Sequence, residues 1–332
     1  MSATPTPGTT SAAAPGPAPG RARHVLAVLV LIPAVVALAL WAFAWPAART
    51  APRDLPIAVA GAPAAVAGLE HQLERKEGAF EVHRYDDEAA ARAAIEDRDV
   101  YGAIVATERG PRLLTASAAS PVVAQMLKET ASAQAPKGAP VQVEDVVAAP
   151  PGDPRGAALG ASVLPMALAG VAAGAVVTLL GLRGVRAACA LVGAAALVGV
   201  VAAALTHSWL GALTGDWWTE AGVLALSTLA VSATVAGLAA VLGRAGIALG
   251  ALTVVLIGNP FSGVASAPEL LPEPAGAIGQ WLPPGAGGTL LRSVSFFDGA
   301  AASRPAWTLA VWAGVGLVLV LVGGAVRGRR AG

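Results

Sequence analysis

Apolar residues run along this chain in two rhythms. Unbroken apolar stretches occur at Val25–Trp45, Ala157–Leu182, Ala187–Leu205, Ala221–Leu242 and Pro305–Val326. At about 1.5 Å per residue, each is long enough as a helix to cross a hydrocarbon core of about 30 Å. A shorter run, Ile247–Ile257, is interrupted at Asn259-Pro260. Counted as a broken fifth helix, it brings the expected number of spans to six.

Between the first two spans the period shortens. PIAVAGA, FEVHRYD, YGAIVAT, RLLTAS and VQVEDVVA read as strands. They alternate with helical patterns at Ala64–Lys76, Glu88–Asp97 and Pro121–Gln134. Strands alternating with helices predict a small, largely parallel α/β domain. The expected organisation is a disordered tail over residues 1–23, a first transmembrane helix over 24–45, and an extracytoplasmic α/β domain with its linker over 46–156. A membrane domain carrying helices 2–6 follows over 157–326, and a basic tail over 327–332.

One stretch fits neither rhythm. Gly258–Arg292 carries six prolines, seven glycines and three ionised side chains, Glu269, Glu273 and Arg292. Irregular backbone at membrane depth is tolerated where it is packed in protein or lines a wet cavity, so residues 258–292 are expected to form a re-entrant segment.

Composition strengthens the membrane reading. The chain is 55% hydrophobic and 13% charged, with a mean hydropathy of +0.65; soluble domains have about 25% charged residues. Of 21 acidic residues, 16 lie between Arg49 and Ser162, within the hydrophilic insert. With six spans, Arg21, Arg23, Arg183, Arg186, Arg244, Arg327, Arg329 and Arg330 share one side. The positive-inside rule makes that side cytoplasmic, with both termini there and the α/β domain outside a bacterial plasma membrane. Cys189, the single cysteine, lies in an apolar run and offers no disulfide framework.

The residue types for catalysis are not grouped. There is no nucleotide-binding loop of the G-x-x-x-x-G-K-[ST] kind. The histidines His24, His71, His83 and His207 are scattered, so neither a metal centre nor a cofactor is expected. Ser117 and Ser120 lack an oriented base and read as turn or cap residues. An enzyme is not expected, and neither is nucleic-acid binding. Asp216, Glu220 and His207 beside Trp209, Trp217 and Trp218 read as hydrated charges in an interfacial aromatic belt. Pairs such as Gly156/Gly160 and Gly170/Gly174 allow close helix packing, within the chain or against a second copy. Arg292, basic yet on the outer side, needs water, a headgroup phosphate or a carboxylate such as Glu269 or Glu273.

The order of spans and insert, together with EAAARAAIEDRDVYGAIVA (Glu88–Ala106), GNPFSG, PELLP and LPPGAGGTLLRS (Leu282–Ser293), resembles the permease subunits of type 2 ATP-binding-cassette exporters. The likeness is to the branch with a large extracytoplasmic domain, and to YhgE/Pip-like membrane proteins. The resemblance implies a homodimer in membrane lipid, a separate ATPase subunit and a re-entrant outer gate. By position, Asn259, Pro260, Pro268, Pro272, Pro283, Pro284 and Arg292 would be gate or substrate-path residues. The implied function is export of an amphipathic or lipidic substrate. The alternative is a non-transporting envelope protein whose outer domain binds a partner or cell-wall component. The turn at Arg183–Arg186 is shorter than the coupling helix of such permeases.

Overall fold

Long apolar runs become helices because only a helix satisfies every backbone amide without water. A computed structural model describes residues 19–107, 110–134 and 141–331. Residues through Trp41 and residues from Ala42 onward form two compact units. The first is the bulk of α1 (Pro19–Ala48). Residues 19–23, expected in the tail, are already helical, since a proline in the first turn has no amide that needs a partner. The remainder of the expected tail lies outside the described residues.

In the second unit an α/β domain comes first. It comprises β1 (Leu55–Ala60), α2 (Pro63–Glu74), β2 (Phe80–Tyr85), α3 (Glu88–Glu96), β3 (Gly102–Thr107), β4 (Gly110–Thr115), α4 (Pro121–Gln134) and β5 (Gln142–Asp145). The strand order is β2-β1-β3-β4-β5, parallel except for the β3/β4 hairpin. Ser120 caps α4 through Val123 N–H at 3.2 Å, and Ser117 bonds Asp145. Both serines therefore hold turns together, as their surroundings in the sequence suggest.

The membrane-type helices follow: α5 (Ala157–Leu179), α6 (Gly184–Ala203) with a π-helical turn at Ala204–Trp209, and α7 (Trp217–Leu242). Then come α8 (Arg244–Leu252) with a π-helical turn at Thr253–Gly258, α9 (Ala275–Gln280), α10 (Pro283–Phe296) and α11 (Ser303–Ala331). Residues 327–331, expected as tail, continue α11. Among the described residues, five helices are long and apolar enough to cross a membrane: α1, α5, α6 with its turn, α7 and α11. The segment Arg244–Gly258 is shorter. It runs back along α7 all the same: Gly246 lies on Leu238, Gly250 on Val235, Val254 joins Val231, and Gly258 reaches Pro284.

α7 is the central helix. Of its apolar window 67% is buried, against 22–28% in α5, α6 and α11. Its side chains are small, and its buried hydroxyls satisfy themselves: Thr228 and Thr234 donate to Leu224 O and Ala230 O one turn back. Gly170 and Gly174 of α5 pack on Val231, Ser232 and Val235 of α7, so this small-residue pair serves packing within the chain.

The α/β domain is not an independent lobe. Ala267 and Leu270, from the proline-rich segment, belong to the same buried cluster as Leu55, Ile57, Val59, Leu113 and Val123 of the sheet layer. Backbone bonds stitch the joint, from Ala51 N–H to Leu270 O at 3.0 Å and from Arg53 N–H to Glu269 O at 2.9 Å. Phe297, just past α10, enters the cluster on the domain's other face. The domain thus borrows part of its core from residues more than a hundred positions away.

Two stability measurements on the detergent-purified chain follow. Leu270→Ala should lower unfolding stability by about 2–5 kcal/mol, because Leu270 is 1% exposed and its removal leaves a cavity at the joint. A Cβ on Gly174 would sit 2.5 Å from Ser232 O, so Gly174→Val should cost about 1–3 kcal/mol. Gly193→Ala, with nothing within 4 Å of the added carbon, should be neutral or stabilising by about 0.5–1 kcal/mol.

Candidate functional site

The proline-rich segment folds as short helical pieces because its prolines fall where helices begin. Pro268 opens a 3-10 turn (Pro268–Leu270), and Pro283 and Pro284 open α10. Between them the chain is held by side chains: Gln280 Nε2 donates to Ser262 O at 2.8 Å, and Thr289 Oγ1 donates to Gln280 Oε1 at 2.7 Å. α10 is thereby fixed with one face toward α5 and α7 and another toward the α/β domain.

On the domain side lies a cavity of about 420 Å³. Arg98, Tyr101, Glu269, Gln280, Thr289, Arg292 and Arg304 supply its polar lining. Formally this is three positive charges and one negative, a net +2 from 3 − 1. Exposed Ala301, Ser303 and Arg304 line its outer side, and Arg304 stacks over Trp281 at 5.1 Å.

Arg292 is 5% exposed. Its Nη2 donates to Val264 O at 2.9 Å, whereas its Nε has no partner among the described residues. Arg292 was expected to need water, a headgroup phosphate or a carboxylate such as Glu269 or Glu273; it is buried and bonds a backbone carbonyl, with neither carboxylate paired to it among the described residues. The charge that acts on it most is another arginine. Burial, and then the positive charge of Arg98, lower the Arg292 pKa to about 10, which leaves it cationic at neutral pH.

Arg98 comes from the end of α3. Arg98 N–H bonds Ile95 O and Asp99 N–H bonds Ala94 O, which closes the helix with Arg98 at φ 65°. That left-handed position normally takes glycine. Its side chain donates to Thr289 O at 3.1 Å and to Ser293 Oγ, and stacks over Phe297 at 5.1 Å. Burial lowers the Arg98 pKa, partly offset by Tyr101 and Glu269. The Tyr101 hydroxyl donates to Glu269 Oε2 at 2.8 Å. Burial, followed by the nearby Glu269 charge, raises the Tyr101 pKa, so the phenol stays a neutral donor.

The seven residues expected as a gate are distributed over several surroundings. Pro268 and Arg292 line the chamber. Pro283 and Pro284 line an apolar slot of about 60 Å³ on the opposite face of α10, with Val163 and Met166 of α5 and Leu224 and Val231 of α7. Asn259 and Pro260 line a cleft of about 440 Å³ beside Phe43, Pro46 and Thr50. Pro272 is buried and accepts the Ala275 N–H at 2.8 Å. Arg98 and Tyr101 were missed, because they come from a different domain and Thr289 lies 191 positions from Arg98. The one local sign is a helix ending in IEDRD with no glycine where a left-handed residue is needed.

A second polar cluster corrects the aromatic-belt reading. Trp209 and Trp218 are exposed, but Glu220 is fully buried. Its carboxylate meets His207 Nδ1 at 2.7 Å and accepts the Gly215 N–H at 2.8 Å. α7 starts at Trp217, four residues before the expected Ala221, and this draws Glu220 into the fold. The pair fixes the loop between α6 and α7 against α10, where Thr214 bonds Ser295 O at 3.2 Å. No group of three or more metal-ligating side chains occurs among the described residues. No protein family, no curated protein and no solved structure matches the chain.

The chain has two tyrosines, Tyr85 and Tyr101, and both are raised above the ordinary value, mainly by burial. The folded state holds the phenolic protons more tightly than the unfolded state, so the two titrations have already diverged at pH ~10, where the unfolded phenols titrate. Absorbance at 295 nm should show little phenolate in the native chain at that pH. The denatured chain should be about half ionised there. Tyr101→Phe should remove the later-titrating signal.

Proposed function

We propose that the chain is a permease-like membrane subunit that moves an amphipathic or lipidic substrate outward, with ATP hydrolysed by a separate subunit. In this reading Arg244–Gly258, together with the irregular backbone after it, makes the broken fifth crossing, and α11 the sixth. Both termini are then cytoplasmic in a bacterial plasma membrane, and a second copy completes the transporter. The observation that carries the proposal is α10, a helix with an apolar slot on one face and a cationic chamber on the other. An amphipathic molecule needs both environments.

The closed geometry suggests how such a step would run. A slot of about 60 Å³ holds a few waters and no acyl chain. Substrate passage therefore requires α10 to separate from α5 and α7. α10 has few large side chains in its first two turns, where Pro283 to Gly288 are buried among neighbours. Gly287 lies against Ser227 of α7, and Gly288 against Val264. The contacts over these two turns are shallow, while Leu290 and Leu291 in the next turn are buried with Leu159 and Leu224 and must be withdrawn. The α/β domain would move with α10, because Arg98 grips Thr289 and Ser293.

A covalent lock tests this. A Cβ on Gly287 would lie 3.3 Å from Ser227 Cβ, close to the usual spacing of a disulfide, about 3.5–4.5 Å. In a Cys189→Ala background, Ser227→Cys/Gly287→Cys should stop outward movement of a fluorescent short-chain phospholipid when oxidised, and recover when reduced. Equal movement in cells with and without the chain, at matched membrane abundance, would overturn the reading.

A further inference from the structure

The chamber contains an electrostatic arrangement that stability does not account for. Two arginines from different domains line the same chamber, with Arg98 bonded to Thr289 and Ser293 on either side of Arg292 in α10, and Glu269 is the one carboxylate in the lining among the described residues. That carboxylate is already engaged by the Tyr101 hydroxyl. Gln280 and Thr289 are committed to each other and to Ser262 O. The Nε of Arg292, in a side chain 5% exposed, is left without an acceptor among the described residues. A buried donor with no acceptor costs about 1–3 kcal/mol, more when it is charged. Arg98 adds backbone strain, since a non-glycine residue at φ 65° costs about 1–2 kcal/mol. Strain and unpaired charge converging on one cavity is what an anion site looks like before its anion arrives.

We propose that the chamber binds a phosphate monoester between Arg98 and Arg292. A guanidinium offers a planar fork of donors that matches phosphate oxygens, and two arginines lining one chamber can share one such group. Charge selects among anions. A phosphate monoester is close to dianionic at pH 7, with a second pKa near 6, and cancels the net +2 of the lining. A phosphodiester or carboxylate carries one charge and leaves one arginine uncompensated. Arg304, exposed over Trp281, is placed to meet the anion at entry. The cavity of about 420 Å³ accommodates the phosphate with a glycerol-sized body. Because Arg98 belongs to the α/β domain and Arg292 to α10, the bound anion would join the two parts and relieve their repulsion.

As a statement about substrate this rests on the permease reading. As a statement about binding it needs neither transport nor an ATPase, so the two can fail separately. The test is isothermal titration of the full chain in neutral detergent with inorganic phosphate, dihexanoyl phosphatidic acid and dihexanoyl phosphatidylglycerol. Phosphatidic acid should bind at least tenfold more tightly than phosphatidylglycerol. Arg292→Gln and Arg98→Gly should each weaken it at least tenfold; glycine suits the Arg98 backbone, which keeps that variant folded. Arg292→Lys should fall between, and Arg75→Gln, exposed and outside the chamber, should match the parent. Binding of phosphatidic acid without inorganic phosphate would support a lipid as the source, and the reverse a soluble phosphate ester. Binding of neither, equal affinity for the phosphodiester, or affinity unchanged in the arginine variants would overturn the proposal.

Discussion

Backbone that leaves the helix inside an apolar layer must find partners for every amide and carbonyl within the protein. The stretch from Gly258 to the start of α11 meets that demand by burial. Its turns are closed by local bonds such as Ser262 N–H to Asn259 O and Ala275 N–H to Pro272 O. Its open edge is taken up by the α/β domain, through Ala51, Arg53 and Tyr101. The chief features of the second unit follow from this: the domain shares its core with Ala267 and Leu270, and α10 is held in a fixed orientation between two cavities.

The membrane-type helices approach closely where glycines meet a neighbour, and bury leucines such as Leu159, Leu224, Leu290 and Leu309 between those points. α7 contributes alanine, serine, threonine and glycine on all sides, and partners press glycines onto it, as Gly174 does at Ser232 and Gly316 at Ala233. Lipid tails are as apolar as leucine, so no hydrophobic gain drives helices together, and close van der Waals contact has to do so.

Electrostatics differs between the two buried polar clusters. Glu220 is satisfied by His207 and the Gly215 amide, and it holds a loop in place. Arg292 has one carbonyl for five donors' worth of guanidinium, and faces a second arginine. Burying a charge is tolerable when its hydrogen bonds are made, and costly when they are not. The first cluster is complete in itself; in the second, the Nε of Arg292 has no partner among the described residues.

Much of this was legible in the sequence, and for local reasons. Each strand and helix of the insert falls within a few residues of its pattern, because alternation and helical periodicity are properties of neighbours in the chain. The long helices followed from runs with no charged residue, and the unusual character of residues 258–292 from six prolines and seven glycines. What composition could not decide was which side chains meet. Glu220 looked hydrated because it stands beside Asp216 and two tryptophans; only the earlier start of α7 and the approach of His207 bury it. Arg292 looked like an interfacial residue because the segment holds no other basic group. Arg98, which shares the chamber with it, lies in another domain, and no periodicity or spacing links residues so far apart. Sequence by itself determined the elements and the segment that breaks their rhythm. Tertiary structure decided the chamber, because a cavity is bounded by packing between distant segments, and packing is settled only when the whole chain has folded.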